Sequence, residues 1–165
     1  MRPSEDRGAP NGATVDGDEP TPWTVEVWED DTGFSPFGSW FARLHEYDQA
    51  VVDAVISHVV ARLGTDVCKT EWGKPLGQGL YEVRIRRSLN AVLGWGRSGQ
   101  DEPAEVEGGD KTVLLRLFCT FHGAKVVLLF QGYHKGKDPS DKRQRREIAK
   151  ARKYLRQWRE DTTSP

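Results

Sequence analysis

The chain has 165 residues, 36% apolar and 30% charged, with a formal net charge of -1. That length suits one domain with its own core, and no apolar run approaches the roughly 18–20 residues of a membrane-spanning helix. The N-terminus shows no basic segment followed by an apolar one, so no secretory signal is expected, and the two cysteines, Cys68 and Cys119, form neither a zinc spacing nor a disulfide framework, which fits a reducing cytoplasm.

The small net charge conceals an asymmetry. Residues 1–33 hold Arg2 and Arg7 against Glu5, Asp6, Asp16, Asp18, Glu19, Glu26, Glu29, Asp30 and Asp31. Residues 134–159 reverse the balance, with Lys135, Lys137, Lys142, Arg143, Arg145, Arg146, Lys150, Arg152, Lys153, Arg156 and Arg159 against Asp138, Asp141 and Glu147. A basic back half points to a polyanionic partner, most often nucleic acid; the alternative is a solvated helix face.

Residues 1–22 are rich in Pro, Gly, Asp and Glu and too poor in apolar groups to offset the entropy of ordering, so a disordered acidic tail is expected. A single domain then occupies residues 23–160. Trp23 to Trp28 alternates and predicts a first strand. Ser35-Pro36 reads as an N-cap followed by proline at the first helical position, and Phe37, Trp40, Phe41 and Leu44 give the amphipathic stripe behind it. The pattern restarts near Asp48, with Val52, Val55, Ile56, Val59, Val60 and Leu63 on one face and Gly64 as the stop. Two such neighbours make a helical hairpin, in which His45 and His58 are ordinary surface or packing residues.

Lys74 to Arg86 begins as a glycine-rich turn and becomes a strand. Val83 and Ile85 point one way, and Glu82, Arg84 and Arg86 the other. Residues 88–110 read as a long, partly mobile hairpin loop around a small apolar knot. Val113–Phe121 and Lys125–Tyr133 are the next strands, joined by a His122-Gly123 turn. Parity puts Leu115, Leu117, Cys119 and Phe121 on one face of the first, and Leu114, Arg116, Phe118 and Thr120 on the other. Cys119 reads as a small core residue. A final helix from Ser140 to about Glu160 carries Ile148, Ala151, Leu155 and Trp158 as its apolar stripe. The expected fold is α+β: a small antiparallel sheet in the order β-α-α-β-β-β-α, its helices covering one face and the other face left open.

An arginine between Leu115 and Leu117 is out of character for a core strand. If Arg84 and Arg116 share a face, they form a paired cationic site, with Tyr133, His134, Lys135 and Lys137 arriving at its edge. Guanidinium groups bind phosphate bidentately, and Tyr133 or Phe118 can stack on an unpaired base. The competing possibility is a structural salt bridge in which Glu82 neutralises one arginine. The sequence shows no Ser-His-Asp order, no metal-ligand cluster and no phosphate-cradling glycine loop.

These residues carry a resemblance. Lys74-Pro75-Leu76 followed by Gly79-Leu80-Tyr81-Glu82-Val83-Arg84 is similar to the K-L-G-L-W-E-L-R run of the phage-derived HigB-like toxins of the RelE/ParE superfamily. The Arg116 strand, Leu128 to Lys137, and Pro139 with Glu147-Ile148-Ala149-Lys150-Ala151 resemble later runs of the same family. The likeness covers about residues 23–159, in order. It implies a RelE-like fold and the toxin of a type II toxin–antitoxin pair, a ribosome-dependent mRNA endonuclease needing no metal or other cofactor. In that chemistry the ribose 2′-hydroxyl attacks the adjacent phosphate. By resemblance, Arg84 and Arg116 grip the scissile phosphate, Lys135 and Lys137 add charge or take the proton, and His134 or His122 donates to the leaving oxygen. Tyr133 orients a base. Arg86 and the basic helix, including Arg143 and Arg146, lean on RNA. The implied partners are mRNA on the ribosome, ribosomal RNA and a HigA-like helix-turn-helix antitoxin. The acidic tail and the 88–110 loop depart from the family core, and the loop joins the two arginine strands, so it could gate the site. A ParE-like inhibitor of gyrase and a non-toxic relative that binds RNA or an antitoxin are the alternatives.

Overall fold

The structure is a computed structural model that describes residues 22–96 and 105–163. The expected acidic tail therefore lies, but for its last residue, outside the described residues. The alternating residues after Trp23 form β1, Thr24–Val27. Ser35 caps α1, Pro36–Ala42, its Oγ accepting from Gly38 N at 2.8 Å. Helix α2 begins at Glu46–Val55 and continues through a π-helical turn, Ile56–Val60, to Ala61–Leu63. Gly64 stops it with a φ of 53°, and a Cβ there would lie 2.0 Å from the Trp23 ring, so only glycine fits.

The Lys74–Arg86 stretch is two strands, not one. Strand β2, Gly73–Gly77, and β3, Leu80–Ser88, close through Gln78 and Gly79, whose positive φ values of 58° and 88° are those of a type I′ turn. Residues 89–94 are a short helix, α3 (Leu89–Gly94), capped by Ser88 Oγ and packed by Leu89 and Val92 into the α2 side of the core. Asn90 ties the far end of this connection back, hydrogen-bonding Val106 and Asp110. The described parts of the expected 88–110 loop thus sit on the helical-hairpin face, away from Arg84 and Arg116, and residues 97–104 are outside the described set.

Strands β4, Thr112–His122, and β5, Val126–His134, precede α4, Asp141–Thr163. The sheet is mixed, in the order β1-β5-β4-β3-β2. The expectation of a purely antiparallel sheet is corrected by β1, which pairs parallel to β5 (Val25 with Val127, Val27 with Leu129). The chain crosses one face through the helical hairpin before returning, and that crossover is what a parallel pair requires. The fold is α+β.

The larger correction concerns the open face. Val83, Ile85, Leu115, Leu117, Cys119 and Leu129 meet α1 and α2 on one side, as the parity of β4 predicts. Leu80, Phe118, Leu128 and Phe130 on the other side meet Ala151 and Leu155 of α4. These large apolar groups require burial, each stabilising by about 1.5–3 kcal/mol, so α4 covers the face expected to be open. A bulge in β5 then re-aims its end: Phe118 pairs with Gln131 and Cys119 with Leu129, leaving Phe130 as the extra residue. Gln131 and Tyr133 turn to the α4 side, Gly132 backs onto Trp40, and His134 turns to α2. Among the described residues no helix is long and apolar enough to cross a membrane.

Candidate functional site

Arg84 and Arg116 are direct register partners across β3 and β4, and Tyr133 is the β5 partner of Arg116. One row on the α4 face thus carries Arg84, Arg116 and Tyr133 side by side, and the next row carries Glu82, Phe118 and Gln131. Like charges opposed across strands repel. Glu82 offsets that repulsion: its Oε1 accepts from Arg84 Nε at 3.2 Å, and its Oε2 lies 3.9 Å from Arg116 Nε. Gln144 of α4 also donates to Oε2, at 3.2 Å. Glu82 is 0% exposed and Arg116 4%, so this is a buried ion pair.

Arg84 keeps 28% of its side chain exposed, so an external anion reaches it directly. Arg116 lies deeper. Its Nη1 donates to the Leu115 carbonyl at 3.3 Å. Its Nε and the Tyr133 hydroxyl are buried and have no hydrogen-bond partner among the described residues. Burial pushes the Arg116 pKa down, the Glu82 carboxylate opposing it. Burial raises that of Tyr133, reinforced by Glu82.

Helix α4 supplies the roof. Ser140 caps it, accepting from Arg143 N at 3.1 Å. The guanidinium of Arg143 lies 5.3 Å from the centre of the Tyr133 ring, which stacks on Phe118 at 6.1 Å. Glu147, 3% exposed, accepts from Arg143 Nε at 2.7 Å and from Gln131 Nε2. Lys135 Nζ donates to Gln144 Oε1 at 3.0 Å, which ties it to the same network. Arg86, one pleat beyond Arg84, is exposed, as are Lys137 and Arg146.

The structure therefore brings together Arg84, Arg116, Tyr133, Lys135 and Arg143, with Arg86 at the rim. It separates His134 and His122 from them. His134 pairs in register with Leu115, on the opposite face, its Nε2 3.5 Å from Asp48 Oδ2; the bulge at Phe130 puts it there. His122 shares the face but lies six residues along β4 from Arg116, roughly 20 Å at about 3.3 Å per residue, with its ring against Trp158. Neither histidine reaches an anion held by the arginines.

Gln131, Gln144 and Glu147 were missed from sequence. For Glu147 a signal existed: it stands four residues before Ala151, so the inward stripe of α4 continues into a carboxylate. The basic helix is also not of one kind. Arg152 donates to the Leu76 and Gly77 carbonyls, and Arg159 to Gln78, so both clamp the β2–β3 turn. No protein-family model matches the chain, and no curated protein matches it at a significant level.

Proposed function

We propose that this chain is a RelE/ParE-like toxin that binds single-stranded RNA at the Arg84–Arg116 row and cuts mRNA on the ribosome, in the cytoplasm. The observation that carries the reading is the direct pairing of Arg84 with Arg116, with Tyr133 next in the row. The part-exposed Arg84 guanidinium offers its N–H fork to the oxygens of one phosphate, and the buried Arg116 beside it adds positive charge from beneath, whereas Tyr133, covered by Phe118 and Arg143, is packed too deeply to stack on a base. The sequence resemblance supplies the reaction class. The 2′-hydroxyl oxygen bonds to the adjacent phosphorus and the bond to the 5′-oxygen breaks, with one proton leaving the nucleophile and one reaching the leaving oxygen.

In that reaction Arg84 and Arg116 take up the charge that develops on the phosphate oxygens. Lys135, at the rim, adds to that charge. His134 lies on the opposite face and the Tyr133 hydroxyl is buried, which leaves the part-exposed Lys135 as the group to move a proton. Ribosomal RNA and a helix-turn-helix antitoxin complete the proposed partners. A second reading, an RNA-binding relative that does not cleave, is favoured by the contacts of Glu82 with both arginines.

Induction in bacteria followed by primer extension on a translated mRNA separates the two. The expected result is growth arrest with codon-phased cuts, and a loss of cutting of about 100-fold in Arg84→Ala, the size expected for removing one transition-state contact. Arrest without codon-phased cuts overturns the endonuclease reading. RNA binding with neither arrest nor cuts supports the second.

A further inference from the structure

A cavity of about 190 Å³ opens between α1 and α4, where β5 emerges from beneath its neighbour. Strand β1 pairs with β5 only as far as Leu129, and Trp28 N makes the last bond, to the Leu129 carbonyl. Beyond that point Gln131 and Gly132 form the floor of the cavity at an edge with no strand beside it among the described residues. Arg43 enters from the C-cap of α1 and Arg143 and Lys150 from α4. Against these three cations stands the buried Glu147, engaged by Arg143, by Gln131 and, at 3.7 Å, by Lys150. Arg43 is hydrogen-bonded to a neutral group, Ser39 Oγ, at 2.7 Å.

An aromatic stands at the mouth. Phe34 is 51% exposed and is the one aromatic among the exposed large apolar side chains of the described residues. Its loop is nonetheless tightly held. Asp30 Oδ1 accepts from Thr32 N at 2.9 Å, Thr32 Oγ1 at 2.6 Å and Phe34 N at 3.0 Å, and Asp30 N donates to the Phe34 carbonyl at 2.9 Å. Tyr154 lines the same cavity from α4.

We infer that this cavity binds one nucleotide of single-stranded nucleic acid, its phosphate on Arg43 and Lys150 and its base against Phe34. A cationic groove with an exposed, fixed aromatic is how unpaired bases are held without a duplex. The free edge of β5 offers main-chain groups to the edge of the base. The volume is below the roughly 300 Å³ of a site that encloses a drug-sized ligand, so the cavity holds part of one nucleotide and leaves the rest at its open mouth. The site adjoins the Arg84–Arg116 network through Gln131, Arg143 and Glu147, but Phe34, Arg43 and Lys150 lie outside that row, and the inference stands whether or not the chain cleaves RNA.

The test titrates the full chain with adenosine 5′-monophosphate, and separately with adenosine and with inorganic phosphate, following the Gly132 amide and the Trp40 indole by NMR. The nucleotide is expected to move both signals and to bind more tightly than either fragment. Phe34→Ala and Arg43→Ala, both changes at the cavity mouth, are each expected to weaken it about fivefold or more, the loss of one stacking or one charge-assisted contact. The inference is overturned if the nucleotide leaves both signals in place, or if neither variant weakens binding. Codon-phased cutting by a chain whose cavity ignores the nucleotide would sink this inference and leave the RNA reading intact.

Discussion

The Glu82 carboxylate has no exposure to water, so its charge is offset by Arg84 and Arg116 or not at all. The three side chains form one electrostatic unit, and removing a member leaves the others uncompensated. Glu82→Gln is expected to destabilise the fold by about 3 kcal/mol, the scale of breaking a buried pair from one side. Urea denaturation measures it. Adding Arg116→Met removes the stranded cation and should recover part of the loss; a double variant no more stable than the single one would show that Glu82 acts through something else. For the same reason Arg84→Ala and Arg116→Ala each leave a buried carboxylate short of a partner, so a loss of cutting in either variant is read beside its own urea denaturation midpoint. The sequence shows Glu82 and both arginines but leaves both a ligand grip and an internal salt bridge open. The outcome depends on which strand residues are opposed and on what roofs them, and neither is a local property.

The elements were more legible than their arrangement. The cap at Ser35, the α2 stripe with its Gly64 stop and the parity of β4 are local, and each appears as the pattern predicts. The bulge in β5 is not local, because it arises where two strands must each keep large residues on the α4 side, and it sends His134 to the wrong face for a role beside Arg116. There His134 sits against Asp48, yet burial outweighs that carboxylate and, with Lys137 adding to the effect, lowers the His134 pKa from its ordinary 6.5. The folded state then binds the proton less tightly than the unfolded chain. Stability contributed by His134 is present above the ordinary value and is lost as pH falls through the lowered one. The unfolding midpoint is expected to drop between pH 7 and pH 5, and His134→Gln to reduce that drop. Asp30 and Asp138, held below the usual carboxylate value chiefly by the Thr32 and Ser140 side chains, act only at more acidic pH. An unchanged pH profile in His134→Gln would remove His134 as its cause.

At the scale of the molecule, α4 divides its cations into two sets. Arg143 and Lys150 pair with Glu147 of the same helix, while Arg143 also lies over Tyr133 and Arg152 and Arg159 clamp the β2–β3 turn, which holds the helix on the sheet. Lys142, Arg145, Arg146, Lys153 and Arg156 are all exposed, and their spacing keeps them on the outer face. A net charge of -1 therefore describes neither side of the molecule. If those five outer cations each neutralise one phosphate of single-stranded RNA, the logarithm of the affinity falls with the logarithm of salt with a slope of about -3.5. Raising salt from about 50 to 200 mM then weakens binding about a hundredfold. Arg145→Ala with Arg146→Ala removes two phosphate contacts and should reduce the slope by about 1.4 while leaving the fold unchanged, because neither side chain is buried. Fluorescence anisotropy with a labelled oligoribonucleotide across a salt series gives the slope directly. A wild-type slope of only about -1.4, the value for two phosphate contacts, would assign the outer face of α4 to solvent and the RNA contact to the Arg84–Arg116 row alone.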